Sequence, residues 1–199
     1  MLTRRVARVT MARQPIPCKG GTIWMPRHGC GPSPGQDTRG GVTVPLTLVL
    51  DLPDEAATAA LAARLAARAR RGDVIALQGP LGSGKTSFAR AFIRAFAGTE
   101  EVPSPTFTLV ETYAAPGKLP IWHFDLYRLT APEQAFELGI EEAWTDAVSL
   151  IEWPERLGDL LPREHLRLTL DEGPTPHARR VRLVAAPSWA DRLAGLAHG

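Results

Sequence analysis

The chain has 199 residues, 44% of them hydrophobic and 22% charged. That length and balance suit one folded domain and exclude wholesale disorder. The net charge of +2 hides an asymmetry, because residues 1–44 carry seven Lys/Arg against one acid and the rest carry 16 against 20. A body of net negative charge is not built to hold nucleic acid on a broad basic face, so no stable DNA binding is expected.

Residues 1–44 are dense in Gly and Pro and show no apolar period of 2 or 3.6. Such a stretch buries too little to offset chain entropy, so it is expected to be a disordered basic extension. It lacks the apolar core of a secretory signal. Both cysteines, Cys18 and Cys30, fall in it. With only His28 nearby they fall short of a four-ligand zinc site, and they fit a reducing, cytoplasmic setting.

A folded domain is expected over 45–199. Leu46–Leu50 reads as a strand, and a helix opens at Pro53 or Asp54 and runs through Leu61 and Leu65 to about Arg70. Val74–Leu77 is a short continuous apolar run, the mark of a buried parallel strand. Lys85 to about Ala97 reads as a helix with Phe88, Phe92 and Phe96 on its core face. Phe107–Tyr113 and Pro120–Phe124 read as strands joined by the turn at residues 115–118. Residues 132–145 are expected to be helical, Val148–Ile151 a buried strand, and His165–Leu170 with Arg179–Val184 a late antiparallel pair. A short helix from about Ser188 closes the chain. Strands alternating with helices predict a three-layer α/β fold of the P-loop NTPase kind, with a mostly parallel central sheet and late antiparallel strands.

The chemistry starts at Gly79-Pro80-Leu81-Gly82-Ser83-Gly84-Lys85-Thr86, which matches G-x-x-x-x-G-K-[ST] between a buried strand and a helix. Glycines let the backbone turn its N–H groups inward on phosphate oxygens, and the helix N-terminus adds its dipole. Lys85 is the candidate for the β- and γ-phosphates, Thr86 for Mg²⁺, and Gly79, Leu81, Gly82, Ser83, Gly84 and Ser87 complete the cradle. Such a site needs an acid at the end of a neighbouring strand. Asp125, after Ile121–Phe124, and Glu152, after Val148–Ile151, both qualify as metal-side carboxylates. Thr106, in Ser104-Pro105-Thr106-Phe107, stands where switch-type NTPases carry a γ-phosphate-sensing hydroxyl, or it merely caps a turn. The sequence contains no asparagine, which excludes an Asn-Lys-x-Asp guanine motif and favours ATP.

Four strings taken together resemble one family. They are Gly79–Thr86, Ser104-Pro105-Thr106-Phe107-Thr108-Leu109-Val110-Glu111, His123-Phe124-Asp125-Leu126-Tyr127-Arg128-Leu129 and Ile151-Glu152-Trp153-Pro154-Glu155. They resemble the bacterial TsaE (YjeE) family of ATPases that serve synthesis of N6-threonylcarbamoyladenosine (t6A) in tRNA. The resemblance spans about Leu52 to Val184 and leaves out the extension. It implies that Lys85 and Thr86 hold phosphate and Mg²⁺, that Asp125 and Glu152 lie by nucleotide and metal, and that Trp153 is functional. It further implies that the opening helix, with Thr58, lies near the adenine, and that Arg179 or Arg180 contacts nucleotide, with His177 able to take that place. The implied partners are the TsaB–TsaD pair, with tRNA engaged through that complex and no membrane role. The departure is Pro80, where the family commonly has Asp. It removes an N–H and a carboxylate and bears on turnover more than on binding. Two other readings of the same loop are a small-molecule kinase, for which no Arg-bearing lid is visible, and a nucleotide-dependent binding module without turnover.

Overall fold

The computed structural model describes residues 46–193 and Leu196. The expected disorder of residues 1–44, and both cysteines, lie outside the described residues.

Among the described residues seven strands form one sheet: β1 (Leu46–Leu52), β2 (Val74–Gln78), β3 (Val110–Tyr113), β4 (Ile121–Asp125), β5 (Val148–Glu152), β6 (Leu166–Glu172) and β7 (Arg179–Ala185). Their spatial order is β1-β7-β6-β2-β5-β4-β3. The centre, β6-β2-β5-β4, is parallel, while β7 and β1 continue it antiparallel on one side and β3 on the other. The fold is therefore α/β with the parallel centre and late antiparallel pair that the sequence implies.

Strand alternation divides the core into two layers. Ile75, Leu77, Ile121, Val148 and Leu150 pack on one face with helices α1 (Glu55–Ala66), α2 (Lys85–Ala97) and α5 (Pro187–Leu193). Val74, Phe124 and Ile151 pack on the other, against α3 (Gln134–Glu137), α4 (Ile140–Asp146) and a 3-10 stretch, Pro154–Leu160. Phe88 and Phe92 are fully buried in the first layer, and Phe96 packs at its margin. Arg192 of α5 donates to both oxygens of Asp73 at 2.6 and 2.8 Å, and its guanidinium lies 3.8 Å from the Trp189 ring centre. This bidentate pair anchors the start of β2, the strand that feeds the glycine loop.

The larger differences from the sequence reading fall at four places, while most strand ends move by one or two residues. Asp54 is the α1 cap, its carboxylate accepting from Ala57 N at 2.7 Å, and the helix ends at Ala66 rather than near Arg70. The strand expected from Phe107 begins at Val110, because residues 105–108 form a turn and Leu109 takes φ 66°. The single helix expected over 132–145 is two, broken where Gly139 adopts φ 77°. A Cβ at Gly139 would also stand 3.1 Å from the Trp122 ring. The 3-10 stretch was not legible, since its first turn follows Trp153 in the left-handed region.

Candidate functional site

The parallel centre delivers the site. β2, β5 and β4 end side by side, with Leu77 opposite Glu152 and Glu152 opposite Asp125. The chain leaves β2 into the Gly79–Thr86 loop at the C-terminal edge, where α/β sheets open onto ligands. Gly79 has φ 141°, and a Cβ there would lie 2.3 Å from the Leu170 carbonyl oxygen. No other residue type can carry the chain past β6 at that point. Gly84 then caps α2 in the left-handed region at φ 100°.

Lys85 is buried in the first turn of α2. Its Nζ donates to the carbonyls of Gly79 and Pro80 at 2.8 and 2.9 Å and sits 4.0 Å from the Trp153 ring centre. Burial holds its pKa below the ordinary lysine value, against the opposing pull of Glu152, Glu155 and Asp125. Trp153 reaches this place because its backbone is left-handed, φ 57° and ψ 49°. For a bulky residue that conformation is costly, and such strain concentrates at functional sites. Tyr127 packs on Trp153 with ring centres 4.9 Å apart.

The two acids are braced differently. Thr86 Oγ1 donates to Glu152 Oε2 at 2.9 Å, and His123 Nε2 donates to Glu152 Oε1 at 2.9 Å. A carboxylate can only accept, so His123 carries its proton on Nε2, and its buried Nδ1 has no hydrogen-bond partner among the described residues. Asp125 Oδ2 accepts from Thr106 Oγ1 at 3.0 Å, and Oδ1 accepts from Tyr127 N at 3.2 Å. Ser104 Oγ lies 2.8 Å from Thr106 Oγ1, so the loop reaches the acid through a short hydroxyl chain.

A cleft of about 340 Å³ opens on this constellation, lined by Gly84, Lys85, Thr86, Thr106, Asp125 and Glu152 together with Leu81, Ser87, Tyr127, Arg128 and Trp153. A second, of about 390 Å³, lies across the same loop and shares Gly82, Gly84 and Ser87 with the first. Its other walls are Glu55, Thr58 and Ala59 of α1, Arg90, Ala91 and Arg94 of α2, and His177 and Arg179.

Most of the candidates thus converge. Arg179 joins them, its Nε donating to Ser83 O at 2.9 Å. Arg180 does not. Neighbouring strand residues face opposite ways, and Arg180 Nε donates instead to Asp51 Oδ1 at 2.7 Å on the exposed β1–β7 ladder. Thr58 lines the second cleft while its hydroxyl donates to Asp54 O at 3.1 Å. Ser83 Oγ is buried without a partner among the described residues. Sequence reasoning assigned no role to His123, Tyr127 or Arg128. The signal for His123 was present, since it stands two residues before Asp125 and shares its side of β4.

The donor set is chemically specific. Thr86, Glu152 and Asp125 offer oxygen only, the choice of hard divalent cations. Among the described residues no group of three or more His, Cys, Asp or Glu could hold a metal alone. An ion here would share its shell with ligand oxygens, which is how Mg²⁺ binds beside phosphates. Among the described residues no helix is long and apolar enough to cross a membrane.

Comparisons with known proteins converge on one family. Residues 52–181 match the family model described as "Threonylcarbamoyl adenosine biosynthesis protein TsaE". The chain is 42% identical over 121 residues to the tRNA threonylcarbamoyladenosine biosynthesis protein TsaE of Rickettsia conorii, covering 60% of this chain and 69% of that protein. It is 39% identical over 119 residues to the protein of the same name from Bacillus subtilis, covering 59% and 72%. The crystal structure of Bacillus subtilis YdiB superposes with a TM-score of 0.62 at 27% identity, over 77% of this chain and 95% of that one. A glycine loop, two strand-end acids and a strained tryptophan thus stand inside a matched region that covers most of the sheet, and the chain belongs to the TsaE family of threonylcarbamoyl adenosine biosynthesis proteins.

Proposed function

We propose that this chain is a Mg²⁺-dependent ATPase, acting as the nucleotide switch of t6A synthesis with a TsaB–TsaD-type pair. The observation that carries it is the 2.9 Å bond from Thr86 to Glu152, which joins the hydroxyl of a phosphate-binding loop to an acid on the neighbouring strand. ATP would lie across the loop, its phosphates in the first cleft and its base toward Thr58 and Arg179 in the second. Lys85 would exchange the carbonyls of Gly79 and Pro80 for phosphate oxygens. Thr86, Glu152 and Asp125 would hold Mg²⁺, which when bound neutralises phosphate charge. Water adds to the γ-phosphorus, the bond to the bridging oxygen breaks, ADP leaves with that electron pair, and the water proton ends on phosphate or solvent. Glu152, fixed by His123, orients that water. Thr106 ties the loop at 104–109 to Asp125 and so links occupancy of the cleft to the surface a partner would meet.

The net negative charge of the body suits docking on proteins better than gripping tRNA, which would be engaged through the complex. Basal turnover should be slow, because switch NTPases often need a partner to complete the site. The test is ATP hydrolysis by the purified chain, alone and with TsaB and TsaD, with Lys85→Ala as control. Activity that rises with the partners and vanishes in the variant supports the reading. Turnover that survives Lys85→Ala overturns it, and tight nucleotide binding without phosphate release would reassign the chain as a binding module.

A further inference from the structure

We propose that Arg128 is a catalytic cation supplied in cis, which leaves the Phe107 ring to bind the terminal phosphate of the nucleotide. The inference rests on the ATPase reading and adds to it a residue that the loop motif does not contain. Arg128 lines the first cleft, facing the same space as Gly84, Lys85, Thr86 and Glu152. Its guanidinium carbon lies 4.7 Å from the Phe107 ring centre. Among the described residues it makes no hydrogen bond or ion pair.

The arginines of the second cleft, and Arg180, are committed. Arg179 donates to the carbonyls of Ser83, Pro176 and Ala178. Arg90 and Arg94 donate to those of Val102 and Glu100, and Arg180 holds Asp51. Among the described residues Arg128 alone in this group keeps all five donors free beside the phosphate loop. The ring it rests on is itself loosely held, since Phe107 is 82% exposed. A cation on an exposed ring is weakly attached compared with a guanidinium on a phosphate.

Charge balance points the same way. Lys85 is the one other cation among the residues lining this cleft, and Asp125 and Glu152 stand with it. A terminal phosphate adds negative charge spread over its non-bridging oxygens, and as the bridging bond breaks its electron pair passes to the bridging oxygen. A guanidinium stabilises that charge without gaining or losing a proton. The placement on β4's exit is also suited to a switch. Phe107 belongs to the loop that Thr106 ties to Asp125, so release of Arg128 and movement of that loop are one event.

The test compares the full-length chain with Arg128→Ala, Arg128→Lys and Phe107→Ala. Calorimetry would measure Mg²⁺–ADP and a Mg²⁺-bound non-hydrolysable ATP analogue, and kcat would be taken with TsaB and TsaD present. Arg128→Ala should keep ADP affinity within about threefold, lose about tenfold in preference for the analogue, and lose about 10²- to 10³-fold in kcat. Arg128→Lys should regain part of the analogue preference and little of kcat. Phe107→Ala frees the guanidinium without removing it and should not lower kcat. An unchanged kcat and analogue-to-ADP ratio in Arg128→Ala overturns the assignment while leaving the ATPase reading intact. Equal weakening of both nucleotides overturns it too, by pointing to a structural role. A wild-type chain that binds neither nucleotide defeats the ATPase reading itself and the assignment with it.

Discussion

Asp125 and Glu152 sit opposite each other at the ends of adjacent parallel strands, yet they are held by different parts of the molecule. Glu152 is braced by groups of the frame, with buried His123 on one oxygen and Thr86 of the helix-starting loop on the other. Asp125 is braced by a connection, through Thr106 of a turn and the backbone of Tyr127. The difference teaches how one sheet edge can carry both a fixed group and a responsive one. Glu152 is tied to β4 and α2 as well as to its own strand β5, whereas Asp125 registers whatever moves residues 104–109.

The contrast can be broken most directly at the fixed acid. Glu152→Gln should lower partner-stimulated kcat by about 10²- to 10³-fold with nucleotide affinity kept within a few-fold. Steady-state kinetics beside nucleotide titrations would read this. A larger kcat loss from Asp125→Asn would reverse the ranking of the two acids. Next in size is His123→Ala, which leaves a buried carboxylate oxygen without its donor and opens a cavity. It should cost about 2–4 kcal/mol in urea unfolding, with partial recovery in His123→Gln. A stability loss under 1 kcal/mol would show that the brace does not matter to the frame.

The responsive acid should behave otherwise. Thr106→Val removes one hydroxyl from a part-buried bond and should change stability by no more than about 1 kcal/mol. It should still lower kcat by about three- to tenfold, because Asp125 loses its tie to the loop. Equal effects of His123 and Thr106 variants on unfolding would erase the distinction between frame and connection.

The smallest effect separates pH sensitivity of the frame from that of the site. Burial holds the His165 pKa below the ordinary 6.5, opposed by the Pro162 carbonyl that accepts from its Nδ1 at 2.6 Å. The unfolded chain therefore takes up this proton first as pH falls. Stability from neutral His165 is complete above about 6.5 and declines as pH drops through that value toward the lowered folded pKa. Urea midpoints at pH 7.5 and 5.5 should differ less in His165→Gln than in the wild type, with nucleotide affinity at pH 7.5 unaltered.

Much of the fold was legible because its signals are local. The continuous apolar runs at Val74–Leu77 and Val148–Ile151 named buried strands, and strand and helix order named the class. Three of the differences depend on single backbone conformations. The left-handed turns at Leu109, Gly139 and Trp153 leave no periodic trace in the sequence. The two acids were legible as residues after apolar runs, but their unequal bracing was not, because His123 and Thr86 lie far from Glu152 along the chain.

The sequence by itself determined the family, the phosphate-loop pattern and the alternation of strands and helices, since each is written in contiguous residues whose spacing carries its own physics. Only the tertiary structure placed Arg179 and not Arg180 at the cleft, paired Glu152 with His123, and set Arg128 on Phe107 beside the cleft. Those choices depend on strand register and on which side chains meet across the sheet edge. Register is fixed by burial of both faces at once and belongs to no segment of the chain taken alone.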